Sequence, residues 1–428
     1  MCPHGDAMYR RYHCLSLVLW NLVGGMALTR TVSAQSTEPL LQLANLVYQG
    51  AFRLPQANCA SNYACFSYGG TAVTYDAADN SLYIVGHPYG ERSAEVSIPA
   101  LVNSTTLSAL KTATLLQQFG DPTKGKRTSV NSNTGTTDFI GGQLVYDGQL
   151  IVSVYSNYDG GGTQNTSHFV ASLNLSNESQ VAGPFQVGRQ YPGFVSGYMT
   201  PVPSDWQGPL GGPALTGNCC LNIISTQSNG PAVAVFNPAQ LGAGAPAPAK
   251  LLIAYPVSNP LGTGWGTQSK LFNGTTRITG VVFPPGTRSV LFFGRQGIGP
   301  FCYGEGTANS ALTGRGTGDG GTWCYDPADS NKGTHAYPYV YQIWAYDAND
   351  LLAVKKRSKA PYRVRPYGVW TLDLPFSHPS DTHFIGGAAF DPEHNLIYVS
   401  QMGEDTNVNP IIQALLVKLS PAVPPTAQ

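Results

Sequence analysis

Apolar positions along this chain fall in short runs rich in β-branched and aromatic residues, each closed by a turn of Gly, Pro, Asp or Asn. One hairpin-like unit recurs. A Gly-containing run meets a tight turn and continues into a second apolar run: YGGTAVTYD-AADN-SLYIVGH over 68–87, FIGGQLVYD-G-QLIVSVY over 139–155, RITGVVF-PPGTR-SVLFFGR over 277–295, and FIGGAAFD-PEHN-LIYVSQ over 384–401. A looser copy pairs FVSGYMTPV (194–202) with CLNIIS (220–225) across a long loop. Alternating or continuous β-formers bounded by such turns predict antiparallel hairpins.

Each hairpin is followed by a third run: AEVSIPAL, FVASLNLS, AVAVFNPAQL, QIWAYDANDL and ALLVKLS. In the first four units a fourth follows: ATLLQQF, GPFQV, KLLIAY and GVWTLDL. The fifth unit ends in a Pro-rich tail, while an unassigned run, ANLVYQGAF (44–52), stands near the start. Lending that run to the last unit completes it. The expected fold is therefore all-β: a single β-propeller, five blades of four antiparallel strands, closed by the N-terminal strand. A twisted sheet that is apolar on both faces needs neighbours on both sides, and radial packing supplies them. The pairs Gly69-Gly70, Gly141-Gly142 and Gly386-Gly387 fall where inner strands would crowd the axis. In overall plan the chain resembles the five-bladed propellers of secreted sugar-acting enzymes. The resemblance is architectural, carried by the repeat and not by a catalytic motif.

The first 34 residues are set apart. Arg10 and Arg11 precede an apolar stretch, Cys14–Leu28, and Val32-Ser33-Ala34 offers a small-residue cleavage site before Gln35. That order predicts a signal peptide over 1–34, a domain over 35–428, and a secreted, extracellular or periplasmic protein. The stretch is short of the roughly 20 apolar residues a membrane span requires. Charged residues are only 11% of the chain and cancel, which argues against a nucleic-acid partner. No membrane contact is expected after signal removal, and a monomer is expected. Beyond residue 34 there are six cysteines, an even number that favours disulfides in an exported chain. Cys59–Cys65 and Cys302–Cys324 are the expected staples, with Cys219 and Cys220 paired to each other or holding a neighbouring loop.

Strand direction sorts the polar residues onto one face. His87, His168, His335, His378 and His383 map to the presumed mouth, and His394 to the opposite turns. The inner-strand starts contribute Asp138, Arg277 and His383. The ends of second strands contribute His87, Tyr155, Gln227, Arg295 and Gln401. His87, Asp138, Tyr155, Arg277, Arg295 and His383 form the candidate catalytic set. The insertion 297–338 carries Tyr303, Trp323, Tyr325, Tyr337 and Tyr339, and is expected to act as a disulfide-held lid. With Gln401, Tyr303, Trp323, Tyr337 and Tyr339 are the candidate substrate-binding residues, since flat aromatic faces stack on sugar rings.

Three chemistries fit these residue types. Glycoside hydrolysis needs two carboxyls across one bond; Asp138 is the best-placed, and Glu91, Asp381, Glu404 and Asp405 are loop candidates. Elimination needs a proton-transfer group and a cationic or amide group facing the developing anion, and His87, His383, Tyr155, Arg277, Arg295 and Gln401 would supply these. A His-ligated metal centre is the third, without a close-spaced pair to support it. The expectation is a carbohydrate-active enzyme, a glycoside hydrolase or polysaccharide lyase, acting on a polysaccharide or oligosaccharide and needing no cofactor. The alternatives are a non-catalytic glycan- or protein-binding propeller and the metalloenzyme.

Overall fold

The computed structural model describes residues 35–419, apart from 57, 58, 60, 61, 134, 136, 178, 179, 379 and 380. The expected signal peptide therefore lies outside the described residues. From Ser36 onward the contacts form one compact unit. It is almost entirely β: only Ser204–Leu210 and Ala348–Lys355 are α-helices among the described residues, and neither is long and apolar enough to cross a membrane.

Five sheets follow one another along the chain. The first is Val73–Asp76, Ser81–Val85, Ser93–Ser97 and Leu115–Gly120; the second is Asp138–Tyr146, Gln149–Ser156, His168–Ser172 and Ala182–Phe185. The third is Met199–Pro201, Ala214–Thr216, Val233–Phe236 and Ala249–Ile253; the fourth is Arg277–Val282, Ser289–Gly297, Tyr339–Asp347 and Gly368–Leu372. In each, consecutive strands are antiparallel neighbours. The fifth is Ile385–Asp391, Leu396–Asp405 and Asn409–Val417, with Leu46–Arg53 alongside as its fourth strand. The N-terminal run therefore does join the last unit: Leu46 pairs with Val417 and Arg53 with Ile411, antiparallel. The short strand Lys111–Thr112 adds in parallel at its outer edge.

The first strands of successive sheets touch: Val73–Asp76 meets Asp138–Tyr146, which meets Met199–Pro201, then Arg277–Val282, then Ile385–Asp391, which returns to Val73–Asp76. Glycine permits this approach. A Cβ on Gly386 would stand 1.8 Å from the Gly70 carbonyl oxygen, and one on Gly142 2.1 Å from that of Gly197. The cores lie between the sheets. Val85 and Val152 share a cluster between sheets one and two, and Leu144 and Phe236 one between two and three. Phe292 and Leu252 share one between three and four, Phe293 and Val399 one between four and five, and Tyr398 and Ile84 one between five and one. The continuous apolar runs of the second strands follow from this, since both faces of each sheet are covered.

The third unit departs from expectation. Its second strand is Ala214–Thr216, reached through helix Ser204–Leu210, and not 220–225. Only three residues long, Ala-Leu-Thr carried little signal against the apolar CLNIIS segment that follows. That segment is instead a loop, and Gln227 turns its amide back onto the backbone of Leu221. The three expected disulfides are present, with Cys219 bonded to its neighbour Cys220. Such bonds persist in oxidising compartments. The insertion after Gly297 folds into a small sheet, Cys302–Thr307 flanked by Trp323–Tyr325 and Lys332–His335, and Cys302–Cys324 staples it.

Candidate functional site

Two cavities open at the starts of the inner strands. The smaller, about 310 Å³, is lined by Thr71, Ile140 and Tyr198 with the Cys219–Cys220 disulfide, Tyr155 and Arg277. The larger, about 530 Å³, is lined by Trp265, Tyr303, Asp329, Lys332 and Phe384 with Arg277 and Arg295. Leu221, Asn222 and Arg277 line both, so the two adjoin. The small sheet of the insertion walls the larger one through Tyr303 and Lys332–Thr334. A further cavity of about 510 Å³, around Tyr191, Phe194 and Tyr362, lies elsewhere and shares none of these residues.

The arginines come together because Arg277 and Arg295 are cross-strand partners in the fourth sheet. Arg277 donates from one terminal nitrogen to the carbonyls of Thr276 (2.8 Å) and Gly274 (3.2 Å). Arg295 is only 5% exposed; its carbon lies 4.4 Å over the Tyr339 ring and 4.0 Å from that of Phe384. One terminal nitrogen donates to the Thr382 carbonyl at 2.9 Å, and its Nε is buried without a hydrogen bond. Among the described residues neither arginine forms an ion pair. Burial lowers the pKa of both; that of Arg295 falls to about 10, with the Tyr339 hydroxyl opposing the fall and the Arg277 charge adding to it.

Tyr155 faces the smaller cavity, and burial, reinforced by Glu91, holds its hydroxyl proton on. Arg277 pulls the other way. Asp329 is the one carboxylate among the residues lining the two cavities; its Oδ1 accepts from the backbone and side-chain nitrogens of Asn331 at 2.9 and 2.8 Å.

The structure thus gathers Tyr155, Arg277, Arg295 and Tyr303 from the expected set and leaves the rest apart. His87 sits among Tyr63, Tyr68 and Tyr89, takes the Tyr89 amide on Nδ1 at 3.1 Å, and lines neither cavity. Asp138 is buried and accepts from the Ser156 hydroxyl. His383 packs on the Tyr341 ring at 4.8 Å, its Nδ1 against the Asp381 carbonyl. Gln401 is fully buried, its amide engaged by Tyr341 and Gln413, which removes it from contact with any ligand. Tyr339 is buried and donates to Asp326 at 2.6 Å, so it braces Arg295 and presents no stacking face. Tyr337 packs edge-on against Tyr325 and Tyr339, and Trp323 lines neither cavity.

His168 and His335, assigned to the mouth by strand direction, are buried structural groups. His168 bridges Ser167 and Thr216, and burial pushes its pKa down to about 3. His335 pairs with Asp326 at 2.8 Å. Among the described residues no histidine joins a cluster of metal-ligating groups; the one such cluster is Asp76, Asp79 and Glu95. The loop acids are also accounted for. Asp405 holds Arg53 at 2.8 Å. Glu91 accepts from the Ile140 amide, and burial raises its pKa to about 8. Glu404 is raised to about 7 by burial and by neighbouring Asp381, and accepts from Tyr341 at 3.1 Å.

Sequence reasoning missed Trp265, Asp329 and Lys332. Trp265 lies in an irregular loop before the fourth sheet, and Asp329 among turn residues of the insertion, so neither stands at a strand end. An aromatic beside the cation-bearing hairpin was the one available signal.

No family model and no curated protein sequence matches this chain. Among solved structures it is similar to the GH43 endo-arabinanase from Bacillus licheniformis, at 11% identity over 82% of this chain and 93% of that one, with a TM-score of 0.38. It is also similar to a glycosyl hydrolase from Bacteroides ovatus, at 12% identity over 88% of this chain and 96% of that one, with a TM-score of 0.34. At these values no residue of either protein is matched to a residue of this chain. No family is assigned.

Proposed function

We infer that the five sheets are blades of one closed propeller and that the chain is a secreted, glycan-cleaving enzyme working where the two cavities adjoin. The insertion 297–338 serves as the lid over this site. The observation that carries the reading is Arg277, which lines both cavities, with Tyr155 in one and Asp329 in the other. Asp329 is the proton acceptor. Tyr155, its proton held on by burial, is the donor to the departing glycosidic oxygen. Arg277 stabilises the negative charge that develops between them. Trp265 and Tyr303, 6.1 Å apart between ring centres, offer apolar faces to a sugar.

This arrangement favours elimination over hydrolysis. Hydrolysis of a glycoside generally places two carboxyls roughly 5 to 9.5 Å apart on either side of the bond. The cavities offer one carboxylate, and the neighbouring acids Asp381 and Glu404 line neither. The test is a polysaccharide panel read for both new reducing ends and unsaturated products, with wild type, Tyr155→Phe and Asp329→Asn. Unsaturated ends from wild type alone support the reading. Saturated products would assign hydrolysis, and cleavage retained by both variants would move the chemistry elsewhere.

A further inference from the structure

We propose that the larger cavity is a subsite for an acidic sugar, whose carboxylate is held by Arg277 and Arg295. The inference rests on the glycan-cleaving reading of the same site and names the class of glycan it takes.

Three cationic residues, Arg277, Arg295 and Lys332, line the larger cavity against one carboxylate, Asp329. Lys332 leans toward Glu305 at 4.0 Å; neither arginine forms an ion pair among the described residues, and Asp329 and Asp326 act on Arg295 only through space. A buried cation is normally paired, because leaving it alone in a low-dielectric site costs several kcal/mol. Here two adjacent guanidiniums lie together, repel each other, and remain charged. The protein satisfies them only in part, with three backbone carbonyls and two aromatic rings.

The rings also fix the geometry. The Arg295 guanidinium lies against both the Tyr339 and Phe384 rings, and Tyr339 is itself fixed by Asp326 at 2.6 Å. A planar, preorganised guanidinium matches the two oxygens of a carboxylate. The neighbouring surface suits the rest of a sugar: Trp265 and Tyr303 supply apolar faces, and Asn222 and Thr334 supply hydroxyl partners. A uronic acid combines these features in one ring. Its carboxylate would supply the counter-charge the fold omits, and elimination next to a carboxylate is the chemistry that a neutralising arginine promotes.

The experiment measures binding to the full chain by calorimetry and by the change in tryptophan fluorescence that a Trp265→Phe variant abolishes. The probes are tetragalacturonate, its methyl ester, a sulfated galactan oligosaccharide, arabinotetraose and free galacturonic acid. The expected result is that tetragalacturonate binds about 10- to 100-fold tighter than its ester, the worth of one or two charge-assisted hydrogen bonds. Arg277→Gln and Arg295→Gln should each reduce that preference, and added salt should weaken the acid but not the ester. Arg277 is half-buried, so its variant tests the idea should the Arg295 variant fail to fold; the ester tests it with the protein unchanged.

Equal binding of acid and ester, or a preference surviving both substitutions, overturns the proposal. Tighter binding of the sulfated oligosaccharide overturns it in favour of a sulfate ester. Cleavage of a neutral glycan without acid preference overturns it while leaving the glycan-cleaving reading intact. Binding of galacturonic acid and its tetramer without cleavage of any glycan supports it and removes the enzyme reading instead. Failure of every probe to bind overturns it.

Discussion

The two ends of the inner strands differ sharply. At their starts lie the cavities of about 310 and 530 Å³, with two arginines, a lysine, an aspartate and exposed aromatic faces. At their far ends, Val73–Tyr75, Leu144, Met199–Pro201 and Ala388–Phe390 leave a gap of only about 30 Å³. The same strands build both. The difference comes from what joins them: the far end is closed largely by tight turns such as 77–80, 147–148 and 392–395, whereas the mouth receives long connections, including the stapled insertion. A short turn returns the chain at once and lets apolar side chains converge. A long loop carries polar groups inward from outside the sheet and holds space between them. The two adjoining cavities thus lie where packing between the inner strands is least complete.

Several substitutions would break or sharpen this contrast. Tyr155→Phe should lower turnover by about 10²- to 10⁴-fold, the usual contribution of a positioned proton donor, with the melting temperature nearly unchanged; steady-state kinetics beside calorimetry would show it. Leu144→Ala, at the closed end and only 2% exposed, should do the reverse. It should destabilise by about 2–5 kcal/mol in denaturant titration, while turnover per folded molecule is kept. Should Leu144→Ala impair turnover as strongly as Tyr155→Phe, the two ends would not be separable.

A smaller effect is expected in the insertion. Burial pulls the His335 pKa down, but the bond to and charge of Asp326, with the Gly304 carbonyl and the Asp329 charge, together outweigh it, so the folded value is raised. The pair's contribution is therefore complete below the unfolded histidine value of about 6.5 and is lost as pH rises through the higher folded value. Asp326 is shifted the other way: burial raises it, but its bonds to His335 and Tyr339 prevail and leave it lowered. Its contribution is present above the unfolded aspartate value of about 3.9 and is lost as pH falls through the lower folded value. Hydrogen-exchange protection of residues 302–335, taken relative to the intrinsic base-catalysed rate at each pH, should be greatest between those limits and should fall as the solution turns alkaline. His335→Gln should abolish the alkaline change. An unchanged pH profile in that variant would assign the effect to another group.

Much of the molecule was legible along the chain. Four of the five hairpins and the strand lent by 44–52 to the last unit follow from local alternation and turn chemistry, and the even number of cysteines points to disulfides, whose pairing the fold decides. The hairpins are set by neighbours in sequence, so a sequence reports them. Arg277 and Arg295 were legible too, because a charge ending an otherwise apolar strand stands out. The rest was decided by packing. Nothing local marks Gln401 as fully enclosed by Tyr341 and Gln413, or His168 as a bridge between Ser167 and Thr216. Nothing local says that Trp265 and Asp329, from two separate loops, share a wall with both arginines. Strand direction assigns a residue to an end of a sheet, but whether its side chain faces a cavity or a partner depends on which neighbouring sheet is pressed against it, and only the folded chain supplies that neighbour.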